Sequence, residues 1–147
     1  MVHVYGNARA LAWKAGIDLE TDTLEVLLFG VDATCGADLD AEFLDDFADL
    51  DEIVVGGYSR QTLTSAAVVD DGAGNVTLEA DDVDFGTLSP SSQLIAGALV
   101  FVSNGSAATD VPVALLDASE VASIALPYQP TGSVFRIVWP SGVVLRL

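Results

Sequence analysis

Apolar residues along the chain fall into short runs, each ended by Gly, Asp, Ser, Asn or Pro. Asp22 to Val31 (DTLEVLLFGV) is rich in strand formers and bounded by turn residues, the pattern of a buried strand. Further runs of the same kind follow at Ile53 to Val55, Tyr58 to Val69, Val76 to Ala80, Val83 to Phe85, Ile95 to Ser103, Val111 to Leu116, Val134 to Trp139 and Val143 to Leu147. Short strands at regular spacing predict a mainly β fold, an antiparallel β-sandwich or barrel-like domain. Asp71-Gly72, Asn104-Gly105 and Pro140-Ser141-Gly142 supply the backbone angles that reversals need, so Trp139 to Val143 is expected to be a tight hairpin joining the last two strands.

One stretch has helical spacing instead. Leu39, Phe43, Phe47 and Leu50 recur at steps of four, four and three, with carboxylates between them. This predicts one short amphipathic helix over 39–50, about 18 Å long at ~1.5 Å per residue, with Asp38 as its N-cap. Asn7 to Ala15 has room for one or two helical turns, with Leu11 and Ala15 on one side. Ser119 to Thr131 reads as loop, with Pro127 and Pro130 flanking Tyr128. No repeat or linker interrupts the chain, so 1–147 is read as a single domain.

Composition agrees with a packed domain: 51% of residues are hydrophobic and 18% charged. The longest uncharged apolar stretch, Leu94 to Val102, is far below the ~20 residues that span a bilayer. Met1 to Ala15 lacks the charged start, apolar middle and cleavage site of an export signal, so synthesis in the host cytoplasm is expected. Charge changes the picture more. The net charge is −17, and Met1 to Asp84 holds 19 acidic and 3 basic residues against 3 and 2 in the remainder. Such a surface repels phosphate, which excludes nucleic acid and anionic membrane as direct partners. Aspartate outnumbers glutamate 16 to 6, as either a salt-adapted host or a GC-rich genome would produce.

Candidate chemistry is sparse. Triads and histidine bases need imidazole, and the one histidine is His3. Zinc needs about four Cys or His ligands, whereas this chain offers Cys35 and His3. Gly56-Gly57 lacks the Lys and Ser/Thr of a phosphate loop. The expected reading is therefore no catalytic residues, no cofactor and no enzyme. For calcium, Asp81, Asp82 and Asp84 ahead of Gly86 are the candidates, but Ser92 and Gln93 stand where the loop pattern wants Glu, so a solvated acidic turn is preferred to a metal site. Most aromatic residues lie within apolar periodicity and read as core. Trp13 and Tyr128 lie outside strong strands and read as interface anchors.

Taken in order, GIDLETDTLEVLLFG (Gly16 to Gly30), the acidic stretch Glu42 to Asp49, VGGYSRQTLTS (Val55 to Ser65), NVTLEADDVDFG (Asn75 to Gly86), ALVFVSNGSAATDVPVALLDAS (Ala98 to Ser119) and GSVFRIVWPSGVVLRL (Gly132 to Leu147) resemble a family of small virion proteins of tailed bacteriophages. The stretch before Gly57 and Ser119 to Thr131 depart from the family pattern.

The resemblance implies a virion structural protein. The expected role is a capsid decoration, or cement, protein on the outer surface of the head, trimeric, holding the major capsid protein or other virion proteins. The interface is expected at Trp13, Tyr128, Trp139, Val143 and Leu145. A tail or neck ring component is the alternative within the particle, and a calcium- or carbohydrate-binding surface module is the alternative outside it. A specific contact of this kind buries at least ~1,000 Å².

Overall fold

The structure, a computed structural model, describes residues 3–13, 16–117 and 125–146, with the side chains of all of these but His3, Ala12 and Trp13. In chain order the elements are β1 (His3–Val4), α1 (Gly6–Trp13), β2 (Leu24–Gly30), β3 (Gln61–Thr62), β4 (Ala67–Asp70), β5 (Val76–Glu79), β6 (Val83–Thr87), β7 (Ile95–Val102), β8 (Val111–Leu116), β9 (Val134–Ile137) and β10 (Val143–Arg146). Every pairing is antiparallel, and the strands form a sandwich-like fold with no closed barrel among the described residues.

The main sheet has the order β1-β8-β7-β2-β3. Its central strands are apolar without alternation, because both faces are covered: all six residues of β8 are buried, and seven of the eight in β7. Pro112 is tolerated inside β8 because it sits opposite Phe101, where the register shifts. In the middle of the sheet Phe29 pairs with Gly97, and a Cβ at Gly97 would collide with that ring and with the carbonyl of Leu116. Glycine is there because the aromatic ring occupies the space.

The other layer is a bent ribbon. β5 and β6 are nearly consecutive, as are β9 and β10, and β5 pairs with β10 while β6 pairs with β9. Two neighbouring strands thus run from one small sheet, β10-β5-β4, through a corner into another, β6-β9. The expected Trp139–Val143 hairpin is therefore overturned. Ser141 (φ 56°) and Gly142 (φ 76°) do make a tight turn, but β9 and β10 do not pair with each other. Trp139 pins the corner: its backbone N–H donates to Asp82 Oδ1 (3.0 Å) and its indole Nε1–H to the carbonyl of Asp81 (2.9 Å).

The helix expected over 39–50 is also absent, apart from a single 3-10 turn at Leu44–Asp46. The reason is aspartate, which competes for backbone donors. Asp46 Oδ2 accepts the N–H groups of Glu42 (3.0 Å) and Phe43 (2.9 Å), and Asp49 Oδ1 that of Asp51 (2.8 Å). Other donors go to neighbouring loops, Leu44 N–H to the carbonyl of Asp110 and Asp45 N–H to that of Ala107. The segment lies as an irregular acidic cover, burying Ala41, Leu44 and Phe47 at steps of three, with Phe47 edge-to-face on Tyr5 (5.7 Å between centroids). Tyr5 O–H donates to the carbonyl of Cys35 (2.9 Å), and burial pushes the Cys35 thiol up to about 11. The α-helix that does form is α1, close to the Asn7–Ala15 expectation.

Candidate functional site

Two places concentrate polar or apolar groups beyond what the fold requires. The first is a half-buried network at the β3 side of the main sheet. Arg60 Nε–H and Nη2–H donate to Glu52 Oε1 (2.9 Å) and Oε2 (2.8 Å), a two-pronged pair. Tyr58 O–H donates to Glu52 Oε1 (2.8 Å) and accepts the N–H of Leu28 (3.1 Å). The guanidinium lies 5.1 Å from the centre of the buried Phe101 ring, and its Nη1 is 3.8 Å from Asp110. Asp110 is buried and accepts the N–H groups of Asn104 (2.6 Å) and Ser106 (3.3 Å) through Oδ1.

Burial alone would raise the Glu52 carboxyl, but the hydrogen bonds from Arg60 and Tyr58 and the charge of Arg60 outweigh it and hold Glu52 below its ordinary range. Burial pushes the Tyr58 hydroxyl far above its ordinary range. With Arg60 committed to Glu52 and Tyr58 held protonated, the network acts as a strut, tying the 52–60 loop to β2 and to the 103–110 loop. Sequence reading missed it. The one signal was Arg60 itself, the sole cation between Lys14 and Arg136.

The calcium candidates diverge. Asp81 accepts Ser65 Oγ–H (2.6 Å) and Thr64 Oγ1–H (3.2 Å). Asp82 takes Trp139 N–H and Arg136 Nη2–H (3.1 Å), and Asp84 takes Gly86 N–H (2.7 Å). Among the described residues no cluster of three His, Cys, Asp or Glu side chains could hold a metal ion.

The interface candidates separate in the same way. Trp139 and Leu145 are 4% and 1% exposed, so they fill this chain's own core, Trp139 at the corner and Leu145 beside Leu78. Val143 is half-buried on β10. Tyr128 is half-buried at one end of a row of rings, 5.1 Å from Phe135, which meets Phe85 (5.9 Å), which stacks on Tyr58 (6.1 Å). Its backbone exchanges both hydrogen bonds with Ile95 (2.8 Å each). Trp13 ends α1, and its side chain lies outside the described residues.

The second place is apolar and exposed. Val68 and Val69 are consecutive in β4, so they point to opposite faces, yet each is 37% exposed. β4 therefore has solvent on both faces and, among the described residues, one ladder neighbour, β5. Its outer edge is partly closed, because Glu20 Oε1 accepts the Val68 N–H (3.0 Å). On β9 burial alternates, and Val134 in the strand and Val138 just after it stay 59% and 40% exposed on either side of Arg136. Val54 stands out singly in the 52–57 loop. Sequence reading could have found β4, since two adjacent valines ahead of Asp70-Asp71 cannot both face inward.

No protein-family model matches the chain, and no curated protein or solved structure does. No helix among the described residues is long and apolar enough to cross a membrane.

Proposed function

We propose that this protein is a virion structural component that works by surface-to-surface assembly, and specifically a decoration protein that self-associates and holds neighbouring capsid subunits. The observation that carries the reading is β4, whose Val68 and Val69 are exposed on both faces of one strand. Apolar side chains on a strand bare on two sides suit a surface that another protein covers. The charge distribution supports the same division of labour. The acidic cover over 38–51 is a solvated surface that repels nucleic acid, while Val134 in β9 and Val138 just after it, in the weakly charged part, are offered to a partner. Among assembly proteins, the resemblance of six segments to small phage virion proteins selects a particle component, with a trimer as the expected oligomer.

Particles assembled with and without the protein test this. Heads that form and expand without it but leak genome on mild heating, and are restored by adding purified protein, support the decoration role. Full, heat-stable heads lacking tails would reject it in favour of a neck or tail position.

A further inference from the structure

Three of the six large apolar side chains exposed among the described residues sit in just two strands, β4 and β9, and a fourth, Val138, directly follows β9. In each strand a charged residue lies two positions from a valine, on the same face: Asp70 beside Val68 in β4, and Arg136 beside Val134 in β9, with the exposed Val138 just past the end of that strand. Residues two apart along a strand are separated by about 6.8 Å, so the two stripes have one pitch, and Arg136, flanked by Asp82 and the cross-strand Asp84, is opposite in charge to Asp70. Valine can meet valine while Asp70 meets Arg136. All four valines remain exposed within the single chain, so the two stripes do not cover each other. Arg136 has the reach for a second partner: its side chain is 54% exposed, and Nη2 serves Asp82 while the fork carries further donors. Asp70 is exposed and gives one oxygen, Oδ1, to Gly72 N–H (2.8 Å).

Glu20 fixes the manner of approach. With the Val68 N–H already taken, a second copy cannot zip strand to strand along the outer edge of β4, and contact must be made through side chains. Charge argues against two β4 strands meeting across a twofold axis, since that contact would bring the Asp70-Asp71 pairs and Glu20 of both copies together.

We infer that the occupant of the β4 stripe is the β9 stripe of a second copy of this chain, Val68 and Asp70 of one packing on Val134 and Arg136 of the next. The two surfaces differ, so the contact is head-to-tail and passes from copy to copy; a closed ring is its finite form. This rests on the self-association proposed above and names the surfaces that make it.

Sedimentation of the full chain over a concentration series, with near-ultraviolet circular dichroism as the check on folding, tests the pairing. The unaltered protein is expected to associate. Asp70→Arg and Arg136→Asp are each expected to weaken association at least tenfold, and the two together to restore it to within a few-fold. Since Arg136→Asp also removes the contact with Asp82, Val134→Glu serves as an independent disruption at a side chain the fold does not use. Association unchanged by Asp70→Arg and by Val134→Glu, or a double variant no better than the single ones, overturns the pairing while leaving self-association intact. An unaltered protein that stays monomeric at every concentration overturns both.

Discussion

Phe43 and Phe47 lie four residues apart and looked equivalent on a helix face, yet the chain buries them differently. Phe47 is buried against Tyr5, whereas Phe43 is half-buried at the rim of the acidic cover. Phe47→Ala is therefore expected to cost about 3 kcal/mol or more through the cavity it leaves. Phe43→Ala should cost clearly less, and denaturant unfolding of the two variants measures the difference. Glu52 gives a pH signature at the same scale. Its folded carboxyl is held below the unfolded value near 4.5, so its stabilisation is fully present above that value and is lost as pH falls through the lower folded value. Glu52→Gln should flatten that part of the acid-unfolding curve relative to the unaltered protein, with the largest loss of stability at neutral pH. Equal slopes for the two proteins below pH 4.5 would contradict the assignment.

Strands were the most legible elements, because burial on both faces leaves an apolar run that few other structures share. β2, β7 and β8 fall within the runs that predicted them. What the sequence hid was pairing and competition. The 39–50 pattern had helical spacing, but spacing says nothing of where donors go, and Asp46 and Asp49 drew them into turns. The Pro140-Ser141-Gly142 turn was read correctly as a turn and wrongly as a hairpin, since a local reversal does not reveal that the flanking strands enter different sheets. Of the candidate surface, Tyr128 and Val143 were named and are half-buried, while β4 and the Glu52–Arg60 strut went unseen, because ion-pair partners across a loop leave no periodicity. The corner makes its own prediction. Trp139→Phe keeps most of the buried ring but forfeits the bond to Asp81, so a loss of about 1–3 kcal/mol is expected from the carbonyl left unsatisfied. Protection of β5 and β10 amides from hydrogen exchange should fall before that of β7 and β8. Uniform loss across all four strands would refute the corner's local role.

At the scale of the whole molecule, a net charge of −17 on 147 residues opposes the compact state through self-repulsion. Salt shortens the reach of that repulsion to about 8 Å at physiological strength. The melting temperature is thus expected to rise steadily with sodium chloride. Because Asp81, Asp82 and Asp84 each serve separate neighbours, calcium at matched ionic strength should add no saturable increment. A saturable calcium increment that disappears on Asp82→Asn would instead revive the metal-binding alternative.

The two chain segments that pass through the corner, β5 into β6 and β9 into β10, also decide how the fold answers a pull. Its layers share covalent chain rather than resting one on the other, so a load hung on the β10-β5-β4 side travels along backbone into the β6-β9 side before any interface has to slide. Tension across such a seam is shared by two ladders at once.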